Sequence, residues 1–112
     1  MDISNILSRY RDFEKELLFN RARIKERFAS ASTHLALIHE EDLPPEPFRE
    51  NWIKLKNELK EHSPAEQALG PIKESILNMP EEVAALFAAK YISLFKEIED
   101  WIRDPSTYQE TD

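Results

Sequence analysis

The chain has 112 residues, of which 33% are charged and 41% hydrophobic, with one glycine, no cysteine and a formal net charge of −7. That length suits one domain burying roughly two-thirds of its unfolded surface, and the composition argues against a disordered chain. Without cysteine there is no disulfide framework, thiolate nucleophile or cysteine zinc site. No basic leader precedes an apolar run at the start, and no window approaches a membrane span, so a cytoplasmic protein with no membrane partner is expected.

Charge is unevenly spread. Residues 1–36 hold a balance of +2 and the remainder −9. A net acidic surface repels phosphate backbones, which disfavours a general nucleic-acid binder.

The first segment predicts one long helix from Ile3 to Ile38, with Asp2 or Ser4 as cap. Ile3, Tyr10, Leu17, Ile24, Ala31 and Ile38 recur at intervals of seven, flanked by Ile6, Leu7, Phe13, Phe28 and Leu35. A continuous helix of that length would span about 55 Å, more than a compact domain of this mass is wide. Either it bends at the weak helix formers Ser30, Ser32 and Thr33, or a second copy packs along the excess; the second reading is preferred, giving a homodimer through a coiled-coil-like seam. Phe19 and Leu37 project from the opposite face, while Arg21 lies within the seam, Asn20 and Arg27 at its edge and His34 just outside it. The candidate interaction residues are Phe19, Asn20, Arg23, Arg27, His34 and Leu37.

Glu40-Glu41-Asp42-Leu43-Pro44-Pro45-Glu46-Pro47 cannot continue a helix, because its prolines remove donors and fix φ. It reads as a stiff, solvated connector whose carboxylates face basic groups elsewhere or water. A second helix follows from Phe48 to Glu61, with Phe48, Trp52, Leu55 and Leu59 on one side. Ser63-Pro64-Ala65-Glu66 is a capping box with proline in the first turn, predicting a corner near His62. The third helix carries Ala65, Ala68, Leu69, Ile72, Ile76 and Met79 in phase across Gly70-Pro71, and is therefore either kinked or broken there.

The last helix, Met79 to Arg103, opens with Pro80, Glu81 and Glu82, a strong start signal. Its stripe runs through Val83, Phe87, Leu94, Ile98 and Trp101, with Leu86 on one flank and Tyr91, Phe95 and Ile102 on the other. Apolar almost all round in its first turns, it is expected to be covered by several neighbours. Residues 1–104 thus make one all-α, four-helix bundle-like domain, and 105–112 a polar tail.

Motifs for chemistry are not evident. His34, His39 and His62 lack the spacings that place two ligands on one helical face, so no metal is expected and no cofactor. Gly70 as sole glycine rules out phosphate-binding glycine loops. Carboxylate groups such as Glu81-Glu82 and Glu97, Glu99, Asp100 read as solvated faces and helix-start charges. Trp52, Trp101, Tyr91 and Phe87 at helical spacing read as core before they read as a ligand pocket. The leading expectation is a non-enzymatic interaction module: a small acidic adaptor, inhibitor or regulator of a basic protein partner. The alternatives are nucleic-acid binding through Arg21, Arg23, Lys25 and Arg27, and a ligand carrier or enzyme with a site between helices.

Overall fold

The computed structural model describes residues 2–19, 21–61 and 72–104. Among them stand five helices and no strand: α1 (Ile3–Phe19), α2 (Ile24–Leu35), α3 (Phe48–Lys60), α4 (Ile72–Leu77) and α5 (Glu81–Arg103), with a 3-10 turn at Glu40–Asp42. The all-α, bundle-like class follows, within an envelope of 41 × 31 × 22 Å.

α1 starts where the Asp2 carboxylate accepts the Asn5 N–H at 3.0 Å, satisfying one of the orphan donors of a helix start. It buries Ile6, Tyr10, Phe13 and Leu17, a stripe at helical spacing. The expected single rod through Ile38 is not what forms. The chain leaves α1 after Phe19, passes through an extended Arg23 (φ −66°, ψ 161°) and re-enters helix at Ile24. α2 then packs back along α1, burying Phe28, Ala29, Ala31, Ser32 and Leu35.

Two contacts stabilise the reversal. Arg27 donates from Nη1 to the Leu17 carbonyl at 3.0 Å, and the Glu81 carboxylate of α5 accepts the Lys25 N–H in the first turn of α2 at 3.3 Å. The predicted bend at Ser30, Ser32 and Thr33 does not occur, because two of these hydroxyls stay inside the helix. Ser32 Oγ donates to the Ala29 carbonyl at 2.6 Å and Thr33 Oγ1 to the Ser30 carbonyl at 3.1 Å, a local bonding mode that helices tolerate. Ser30 instead reaches across to the Glu16 carboxylate of α1 at 2.6 Å. No overhanging helix remains to be covered, and the geometric motive for an extended coiled-coil dimer seam disappears with it.

The acidic connector is built in more than expected. Asp42 accepts the Asn5 side-chain amide at 3.0 Å and the His39 N–H at 3.1 Å, while the Asp2 N–H donates to the Asp42 carbonyl at 2.9 Å. These bonds clasp the start of α1 to the chain beyond α2. Glu46 accepts the Glu50 N–H at 2.8 Å and so caps α3. Arg49 donates to the Leu43 carbonyl at 3.0 Å. Glu40 and Glu41 face solvent. The Glu46–Pro47 peptide is cis.

α3 buries the four predicted side chains, Phe48, Trp52, Leu55 and Leu59, each worth about 1.5–3 kcal/mol on transfer from water. The capping box at 63–66 and the Gly70-Pro71 step lie outside the described residues, as does the tail at 105–112. Helix is described from Ile72, with Ile72, Ser75, Ile76 and Met79 buried.

α5 supplies the centre of the core. Its buried stripe is Ala84, Phe87, Ala88, Tyr91, Leu94, Phe95 and Ile98, rotated from the predicted line so that Tyr91 and Phe95 lead while Val83 and Trp101 are half-buried. The Tyr91 ring lies 6.4 Å from Phe13, 6.0 Å from Phe28 and 5.6 Å from Trp52, edge to face in the last case. Phe95 stacks on Tyr10 at 4.7 Å and meets Phe13 at 5.9 Å and Trp52 at 5.8 Å. Each such pair adds about 0.5–1.5 kcal/mol beyond area burial, so the rotation places the two residues that touch α1 and α3 together, and α2 through Tyr91, at the hub. The expected cover by several neighbours forms, with α1, α2 and α3 packed on α5, but one side of its first turns stays open: Ala85 and Ala89 are exposed, and Leu86 is 55% exposed. Two alanines offer little apolar area to hide, so an open side there costs little.

Candidate interaction surfaces

The six candidate residues do not form one surface. Phe19, 77% exposed, and the exposed Arg23 stand at the corner between α1 and α2, with Arg27 half-buried at its base. Leu37, 46% exposed, belongs to the other end of the hairpin, where its carbonyl accepts the Asn5 side chain at 3.3 Å. The fourteen steps from Asn5 to Phe19 separate the two ends by about 21 Å of helix. His34, half-buried in the last turn of α2, lies toward the Leu37 end and has its Nδ1 buried. Asn20 is outside the described residues.

The corner gains a residue that the spacing did not single out. Leu18 is 62% exposed beside Phe19. The signal was present in Leu17-Leu18-Phe19, since three consecutive apolar residues on a helix span too wide an arc for all to face one core. Arg11 and Lys15, on the same outer side of α1, line a groove of about 460 Å³ with Asp12, Glu14, Leu18 and Phe19. Arg21 and Arg23 are exposed just beyond, and neither is in an ion pair among the described residues. The neighbouring acids sit deeper or beyond: Glu14 accepts the Tyr10 hydroxyl at 3.2 Å and Glu16 the Ser30 hydroxyl, Asp12 is half-buried, and Glu26 is exposed in the first turn of α2. The corner consequently presents two large apolar side chains among four exposed cations, Arg11, Lys15, Arg21 and Arg23.

A second surface runs along the outer side of α3. Glu46, Glu50, Glu58 and Glu61 line a groove of about 670 Å³ with Ile53, Lys54 and Asn57. Glu50, Lys54, Glu58 and Glu61 follow at steps of four, four and three and so share one helical face, with Lys54 among the carboxylates and Glu46 joining them from just before the helix. Glu58 also reaches Lys90 of α5 at 3.7 Å, and Lys90 sits 5.3 Å over the Phe87 ring; a surface pair of this kind contributes at most about 1 kcal/mol.

The titratable groups of the core are phenols. Burial, then the charge and hydrogen bond of Glu14 and the charge of Glu99, push the Tyr10 hydroxyl up to about 12. Burial and the Glu58 charge raise Tyr91 further. Both remain protonated at neutral pH and act there as packing rings rather than as proton-transfer groups. Among the described residues no three His, Asp or Glu side chains gather closely enough to hold a metal ion, and no helix is long and apolar enough to cross a membrane.

Compared with known proteins, the chain matches no family model, no curated protein and no solved structure.

Proposed function

We propose that this chain is a non-enzymatic, acidic interaction module of the cytoplasm, an adaptor, inhibitor or regulator that receives a basic protein segment along α3. The observation that supports the reading is the groove in which four carboxylates, Glu46, Glu50, Glu58 and Glu61, outnumber the one cation, Lys54, around Ile53. An apolar floor between carboxylates suits a cationic amphipathic helix, whose leucines would meet Ile53 and whose lysines or arginines would meet the rim. The net charge of −7 adds long-range attraction that speeds encounter with a basic partner.

Nucleic-acid binding through Arg21, Arg23, Lys25 and Arg27 is the weaker reading. Arg27 is tied to the Leu17 carbonyl and Lys25 is half-buried beside Glu81, which leaves Arg21 and Arg23 rather than a continuous basic stripe.

Calorimetric titration with a synthetic amphipathic helix, leucine on one side and lysine on the other, tests the proposal. Binding should weaken in high salt and be lost in Glu50→Lys/Glu61→Lys. Equal binding by that variant, or equal binding of the same peptide with glutamate for lysine, would remove the basis for the reading.

A further inference from the structure

We infer that the α1–α2 corner of one copy docks into the α3 groove of a second copy, so that the chain associates head to tail and covers its own partner-binding surface. This rests on the α3 groove being the receptor for cationic segments; the corner is then a cationic segment that the chain itself carries.

The corner needs an occupant. Leu18 and Phe19 are adjacent, large and well exposed at a chain reversal, a concentration of apolar area that a solvated corner does not require. Their surroundings decide what that occupant is. Arg11, Lys15, Arg21 and Arg23 are exposed around them, whereas Asp12 and Glu14 of the same groove are half-buried, so two corners meeting face to face would bring their outermost, like charges together at an energetic cost. An acidic surface with an apolar floor meets both requirements, and the α3 groove offers Ile53 with Glu46, Glu50, Glu58 and Glu61 around it.

One chain cannot satisfy itself. The inner sides of α1 and α3 both reach Tyr91 and Phe95 of α5, through Phe13 on one and Trp52 on the other. The outer sides therefore turn away from that hub and do not meet. A contact between two different patches is heterologous, and repeats along a chain of copies unless the rotation closes a ring.

The overall −7 works against association. At physiological ionic strength, however, charges more than about 8 Å apart are largely screened, whereas cations and carboxylates brought into contact are not. Local complementarity then outweighs the net repulsion, and raising salt to about 1 M, where screening extends to about 3 Å, weakens the contact itself.

Sedimentation velocity and light scattering on the full chain test this. At physiological salt the mass should rise with concentration beyond that of two chains, and return toward one chain in high salt. Phe19→Ser/Arg23→Ser, with a disabled corner, and Glu50→Lys/Glu61→Lys, with a disabled groove, should each remain single chains. Mixed, they should form a complex of two chains that grows no further, because each supplies the surface the other lacks. Reconstitution also shows that both variants fold. A wild-type chain that stays monomeric at every concentration overturns the inference, as does association that survives in the groove variant, or a mixture that fails to combine. The corner variant should still bind the lysine-leucine peptide. If it does while wild type never associates, self-docking fails and the α3 receptor stands; loss of peptide binding through Glu50→Lys/Glu61→Lys is read separately.

Discussion

Arg27 donates from Nη1 to the carbonyl of Leu17 at 3.0 Å, reaching ten residues back across the reversal between α1 and α2. A charged donor on one of the last carbonyls of α1 satisfies an acceptor that the helix itself leaves open and complements the negative end of its dipole. The same side chain read in the sequence as an interruption of a hydrophobic seam is thus a device that lets the seam fold back on itself.

Arg27→Ala should cost about 1.5–3 kcal/mol, the range for a hydrogen bond to a charged group, with some additional loss from the packed stem. Urea denaturation measures this directly as a lower midpoint at unchanged slope. Arg23→Ala, at the exposed corner, should stay within about 0.5 kcal/mol of wild type. Equal effects at the two sites would mean that the Leu17 contact does not hold the reversal.

Phe13 and Phe19 lie on the same helix with opposite fates. Phe13 is fully buried and meets Phe28, Tyr91 and Phe95, whereas Phe19 is largely exposed. Phe13→Ala should destabilise by about 3–5 kcal/mol, enough to take a large share of the stability of a domain this size. Phe19→Ala, compared at a concentration low enough to keep the chain single, should leave thermal stability unchanged to within about 0.5 kcal/mol. A large loss at Phe19 would show that the corner is packed within the single chain.

Glu81 and Glu82 share the favourable position at the start of α5, but only Glu81 reaches the Lys25 N–H of α2. Both carboxylates act on the dipole of α5, so the difference between Glu81→Gln and Glu82→Gln isolates the cap that α5 provides to α2. Glu81→Gln should be the more destabilising, by about 0.5–1 kcal/mol. Exchange of the first amides of α2 should quicken in that variant alone; unchanged protection there would argue against the cross-helix cap.

The helical class and most of the core could be read from spacing. Phe48, Trp52, Leu55 and Leu59 are buried as the four-three-four pattern requires, and the heptad positions Tyr10, Leu17, Ala31 and Ile38 are buried as well. What spacing does not carry is direction. Leu17 and Ile24 keep the seven-residue interval, yet the chain reverses between them, because periodicity records which residues meet a core and not whether the backbone between them is continuous. The information lay in long-range bonds, Arg27 to Leu17 and Lys25 to Glu81, that no local window contains. The rotation of α5 has a similar origin. The first turns of α5 are apolar on nearly every side and so do little to set its phase, which the aromatic partners Phe13, Phe28 and Trp52 from three other helices settle instead. The candidate site divides for the same reason: once the hairpin forms, Phe19 and Leu37 move to opposite ends, and the exposed Leu18 joins Phe19.

Tyr10 links the core to alkaline behaviour. Its hydroxyl, with an ordinary value of 10, is held up to about 12 by burial and then by Glu14 and Glu99. Between those values the unfolded chain gives up the proton and the folded chain keeps it, so folding binds more protons and stability falls as pH rises. The contribution is fully present below about pH 10 and disappears as pH passes through about 12. Tyr91, raised in the same direction by burial and Glu58, extends the loss to still higher pH. Tyr10→Phe keeps the stacked ring against Phe95 while removing the titrating group, and should flatten part of this decline. Urea midpoints followed from neutral to alkaline pH should therefore draw together for wild type and Tyr10→Phe as the solution becomes more basic. Parallel curves across that interval would mean that Tyr10 gains no proton affinity on folding, and that its ring, not its hydroxyl environment, is all the fold uses.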